Sequence, residues 1–144
     1  MPDEMLVKEH LLELEKALSV LERYQKLSEE QIARDTGILY AVLHGFQVAI
    51  QNLIDIAMHI SMEHGEKKLE DYAQALLKLG ELNVLPVEFA KKISGMAGLR
   101  NVIVHEYTQV DLKKLYHYLQ NNLEDFYTFN TYILNFLNAP TDKP

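Results

Sequence analysis

The chain has no cysteine and no tryptophan, and only four prolines and six glycines among 144 residues. Without cysteine there is no disulfide framework, no thiolate zinc site and no cysteine nucleophile, a usage that fits an intracellular protein. With so few helix breakers, long segments can run as uninterrupted helix. No run of eighteen uncharged apolar residues is present, so nothing is expected to span a membrane and no membrane partner is expected. The opening Met1-Pro2-Asp3-Glu4-Met5 is acidic, whereas a signal peptide needs a basic start and a continuous apolar stretch. A soluble cytoplasmic protein is the expectation.

Positive charge is also scarce. Fourteen Lys and Arg face 21 Asp and Glu, a net charge of −7, which argues against strong nonspecific nucleic-acid binding. The deficit is uneven. Residues 67–117 carry eight Lys or Arg against six Asp or Glu, and the remainder carries six against fifteen. Transient RNA contact suits the first segment, where Lys91, Lys92, Lys113 and Lys114 lie, and a basic protein partner suits the acidic remainder.

Hydrophobic residues make up 48% of the chain, enough for a folded core. Their spacing is helical throughout, with no alternating strand pattern, no internal repeat and no interdomain linker. Val7, Leu11, Leu14, Leu18 and Leu21 form one apolar seam. Ser28-Glu29-Glu30-Gln31 is a capping box that opens a second, long helix ending near Gly65. Gly37 and Gly45 inside it mark a bend or a close helix approach. A short helix over 70–80 is expected to stop at Gly80. Pro86 suits the first turn of the next, running to about Val104. Asp111 caps a last long helix whose stripe is Leu112, Leu115, Leu119, Leu123, Phe126, Ile133 and Leu137. The prediction is an all-α up-and-down bundle of four main helices plus a shorter fifth, one domain over 1–138 with a frayed tail over 139–144.

Polar chemistry concentrates in Arg100-Asn101-Val102-Ile103-Val104-His105-Glu106-Tyr107. A permanent cation and a group titrating near neutrality are the parts required to cleave a phosphodiester without metal. Arg100 and His105 are five positions apart, about 140° around an ideal helix. They converge only if the helix unwinds before His105 or if a site combines residues of two chains. Asn101 precedes His105 by four positions and can orient its ring or donate to phosphate. Asp55, inside the second helix's apolar stripe, needs a partner if buried, either a motif Arg or His or a purely structural one. His59 and His64 are five apart rather than four, and with Glu63 they make no helical zinc motif. No metal and no cofactor is expected. His44 reads as a packed histidine and His117 as a solvated one. Gly95 and Gly98 read as points of close helix approach.

Arg100-Asn101, three residues, then His105-x-Tyr107 resembles the signature of HEPN domains, in particular the HepT-like toxins encoded beside a minimal nucleotidyltransferase. Tyr72, Leu76-Leu77-Lys78-Leu79-Gly80, Val84-Leu85-Pro86, Met96-Ala97-Gly98-Leu99 and the Val42–Ile50 and Asp55-Ile56-Ala57 segments extend the likeness over about residues 5–137. The resemblance implies a metal-independent ribonuclease acting as a homodimer, with Arg100 and His105 catalytic. It also implies an antitoxin, the cognate nucleotidyltransferase, that neutralises it by AMP transfer to Tyr107. The alternative, of a different class, is a non-catalytic helical dimer that binds the nucleotidyltransferase or a nucleotide.

Overall fold

The computed structural model describes residues 4–64, 71–105 and 111–139, without the side chains of Asn101, Val102, Val104 and His105. Eight helices and no strand lie among the described residues. They are α1 (Glu4–Arg23), α2 (Glu29–Arg34), α3 (Thr36–Glu63), α4 (Tyr72–Glu81), α5 (Val87–Ser94), α6 (Met96–His105), α7 (Leu112–Asn121) and α8 (Leu123–Asn138). The all-α bundle is the one expected, but three of its long helices are divided.

Each division has a local cause. Ser28 closes its capping box, accepting from the Gln31 amide at 3.1 Å while its own amide donates to Gln31 Oε1 at 2.8 Å. The helix it opens lasts only to Arg34. Asp35 then turns extended (φ −109°, ψ 104°) and accepts from the Ile38 amide at 3.1 Å, starting α3 afresh. The segment after Pro86 divides at Gly95 into α5 and α6. The last helix starts at Asp111, whose carboxylate accepts from the amides of Lys113 and Lys114, and divides at Asn122 into α7 and α8. Gly80 does not stop α4. It is buried inside that helix, and a Cβ there would lie 3.1 Å from Ala90 Cβ. The stop belongs to Asn83, at φ 62°, a left-handed position that asparagine tolerates. Beyond it the Val84 amide donates to the Leu79 carbonyl at 2.9 Å. Gly65 and residues 140–144 lie outside the described residues.

The 28-residue α3 is the central helix. It packs on α1, α2, α4 and α6, and Val42, Phe46, Ala49, Ile50, Leu53, Ile54, Ile56, Ala57 and Ile60 are buried. By length and composition it is apolar enough to cross a membrane, its most apolar 18 residues having a mean hydropathy of 1.3. Half of that window is buried inside the fold, so the apolar side of the helix packs against its neighbours. α1 lies against α3 along its apolar seam, and α8 closes on α1 and α7. The tyrosines of the last helices serve this packing. Tyr116 donates to the Leu27 carbonyl at 2.8 Å, and Tyr132 meets Phe89 with ring centroids 5.5 Å apart. Tyr127 donates to Glu22. Its burial first, and that carboxylate second, push its pKa up to about 12.

Two glycines separate packing from propensity. A Cβ on Gly45 would come within 2.8 Å of Leu21 Cδ2 and 3.0 Å of its Cγ, and Leu21 is fully buried. Gly45 is therefore the close α1–α3 approach. A Cβ on Gly98, in α6, meets nothing within 4 Å, so the expected close approach is absent there. Gly98→Ala should raise stability by about 1 kcal/mol, the helix-propensity difference. Gly45→Ala should lower it by about 1 kcal/mol net, because overpacking of roughly 1–3 kcal/mol outweighs that gain. Thermal unfolding checks both, with midpoints moving in opposite directions by about 2–4 °C.

Candidate active site

The site begins with the register of α6. Met96, Leu99 and Ile103 are buried and fix which side of the helix faces the core. Arg100 follows Met96 by four residues, at the edge of that apolar stripe, and is half-buried. There it meets α3. Arg100 Nε donates to Gln51 Oε1 at 3.1 Å. Gln51 Nε2 donates in turn to Asp55 Oδ1, one helical turn further on, at 2.8 Å. From α4, the Tyr72 ring lies beneath the guanidinium, with 4.9 Å from Cζ to the ring centroid. Two helices, α3 and α4, thus hold the cation that α6 carries, by a hydrogen bond, a relayed carboxylate and a cation–π contact.

This arrangement answers the question about Asp55. The carboxylate is half-buried and reaches the motif arginine through Gln51. Sequence reading missed Gln51. Its signal was there, since Gln51 precedes Asp55 by four positions and so shares its face, but its relation to Arg100 spans 49 residues. Also missed was His10, whose Nδ1 lies 2.7 Å from Asn52 Oδ1 across the α1–α3 seam.

Arg100 and Asn101 lie on α6, which stays helical to His105. The backbone therefore does not unwind before the histidine, and the two motif positions remain about 140° apart in register. The side chains of Asn101 and His105, and all of Tyr107, lie outside the described residues.

Of the nearby lysines, Lys92 is 3.1 Å from the buried Asp125 and Lys91 is 3.6 Å from Glu88. Lys113 and Lys114 are exposed. His59 Nε2 lies 3.2 Å from Glu63 Oε2, and His64 Nδ1 lies 2.9 Å from the Ile60 carbonyl. Among the described residues no three His, Cys, Asp or Glu side chains gather as a metal site. His117 is exposed as expected, but so is His44, which does not pack in the core.

The arrangement offers an oriented guanidinium on a half-exposed surface, with a titratable residue five positions further along the chain. That combination can bind and stabilise a phosphate group. Comparison with known proteins agrees. The mRNA nuclease HepT of Shewanella oneidensis is 28% identical over 99 residues, covering 69% of this chain and 74% of that one. The tRNA nuclease HepT of Aphanizomenon flos-aquae is 32% identical over 80 residues, covering 56% of this chain and 54% of that one. In fold, the chain is similar to the tri-AMPylated Shewanella oneidensis HEPN toxin solved in complex with its MNT antitoxin. The TM-score is 0.80 at 23% identity, over 93% of this chain and 98% of that one. The family model described as Ribonuclease HepT-like matches residues 14–133, and the chain belongs to that family.

Proposed function

We propose that this protein is a metal-independent RNA endonuclease, the toxin of a toxin–antitoxin pair, and that Arg100 and His105 carry the reaction. The observation that carries the reading is the anchoring of Arg100 by Gln51 and Tyr72 at the surface of α3. A charge fixed in place before substrate arrives needs no reorganisation when the phosphate gains charge. In the reaction, the 2′-OH loses its proton to a histidine, O2′ bonds to phosphorus and the P–O5′ bond breaks. The leaving 5′ oxygen takes a proton from an acid, giving a cyclic phosphate and a free 5′-OH. Arg100 steadies the phosphate oxygens with paired N–H donors. Asn101 orients the histidine ring, and Asp55 supports Arg100 from behind Gln51.

His105 lies about 140° from Arg100 on a continuous helix, so the two do not converge within one chain. The site is therefore completed by a second copy of the chain. Support comes from α3, where Tyr40, His44 and Met62 are exposed on the helical face that carries Gln51, with Tyr40 58% and Met62 50% exposed. A helix face of that length left at the surface suits a symmetric contact with a second copy.

The antitoxin is a small nucleotidyltransferase that transfers AMP to Tyr107. The tyrosine lies seven positions from Arg100 in the chain, so an adduct there would bring a phosphate and a purine into competition with RNA. The AMPylated state and MNT partner of the Shewanella toxin support this assignment. Both proteins act in the cytoplasm, where the RNA is.

Purified protein should cut cellular RNA in EDTA, and Arg100→Ala and His105→Ala should each reduce cutting by at least about 10²-fold. A gel of total RNA and tRNA reads this directly. An inert wild type, or variants that cut equally well, would replace the nuclease with a non-catalytic dimer that binds its partner or a nucleotide. Co-expression with the nucleotidyltransferase should add AMP to the intact mass, and Tyr107→Phe should remove the adduct. Unmodified protein that is still neutralised would leave complex formation as the antitoxin's mode.

A further inference from the structure

We propose that Gln51 is a positioning residue for the ribonuclease reaction, holding Arg100 through a neutral amide that keeps the Asp55 carboxylate one group away. The inference rests on the reading of Arg100 given under Proposed function, and it assigns a role to a residue outside the motif.

The polarity of the relay is fixed. A carboxylate only accepts hydrogen bonds and a guanidinium only donates them. Gln51 Nε2 faces Asp55 Oδ1 at 2.8 Å and Gln51 Oε1 faces Arg100 Nε at 3.1 Å. Flipping the amide would set donor against donor and acceptor against acceptor, so the amide has one orientation. Nε is bound at one edge and the Tyr72 ring lies across one face at 4.9 Å, so the guanidinium is held both at an edge and over a face. Its rotation about the side chain is restricted before substrate arrives.

The neutral spacer has a second effect. A carboxylate in direct contact with Arg100 would compete with the substrate phosphate for the same donors. At Nε, the Gln51 amide gives directional restraint without adding an anion there. Asp55 still contributes, because it locks the amide rather than neutralising the arginine.

The test combines kinetics with spectroscopy. Gln51→Leu, similar in size and unable to hydrogen-bond, should lower kcat about tenfold with KM within about twofold, since orientation and not charge is lost. Gln51→Glu keeps an acceptor but brings a carboxylate against Arg100, and should raise KM about tenfold. A merely structural role predicts a lower melting temperature for both, with kcat and KM of the folded protein unchanged, and that result would overturn the proposal. A third measurement uses the unmodified protein. In a 15N spectrum of the arginine side chains, the Arg100 Nε–H should exchange with water at least tenfold more slowly than those of the exposed Arg23 and Arg34. Equal exchange overturns the clamp even if neither variant folds. If wild-type protein is inert on RNA while Arg100 Nε–H stays protected, the nuclease reading fails and the clamp survives, so the two failures are distinguishable.

Discussion

The fold depends on one constraint, that α3 be buried along most of its length and yet carry polar side chains where it meets α6. A half-buried amide and carboxylate must find partners, because leaving them unpaired costs more than any contact they displace. Gln51 and Asp55 satisfy one another, and the amide's remaining acceptor is satisfied by Arg100. The same need recurs one residue along, where Asn52 donates to the Val48 carbonyl at 2.8 Å and meets His10 of α1 at 2.7 Å. The polar groups of the central helix thus tie it to its neighbours on two sides. On the α6 side, the tie delivers a cation to the surface.

From that anchoring the chemistry follows in order. The apolar stripe Met96, Leu99 and Ile103 sets the rotation of α6, and rotation sets Arg100 against α3. Tyr72 at the start of α4 supplies the ring face, so the short helix earns its place beside the site as well as in the core. Continuous helix to His105 then sets the motif histidine position away from the arginine in register. The proposed assembly of the active site from two copies would reconcile that separation with a shared phosphate.

Much of this was legible in the sequence, and the rest was hidden for identifiable reasons. The Ser28 capping box and the Asp111 cap are local signals, written within three or four residues, and both occur as read. The breaks at Asp35, Gly95 and Asn122 were not read, because the apolar stripe continues across each of them and periodicity cannot register a change of axis. Gly80 was mistaken for a stop since glycine serves both at helix ends and at close crossings. Only the tertiary contact with Ala90 tells these apart. The run from Arg100 to Tyr107 stood out by its own composition. Gln51 could not, because an unremarkable glutamine in an apolar helix gains its meaning from a residue 49 positions away.

The central claim, that Arg100 and His105 serve one phosphate from two copies of the chain, is tested most directly by subunit mixing. Arg100→Ala and His105→Ala chains, differently tagged and co-expressed, yield a mixed dimer after sequential affinity steps. If each site joins Arg100 of one copy to His105 of the other, the mixed dimer regains one intact site and about half the wild-type RNA cleavage. A mixed dimer as inert as either parent would contradict the account and place both residues of each site within a single chain.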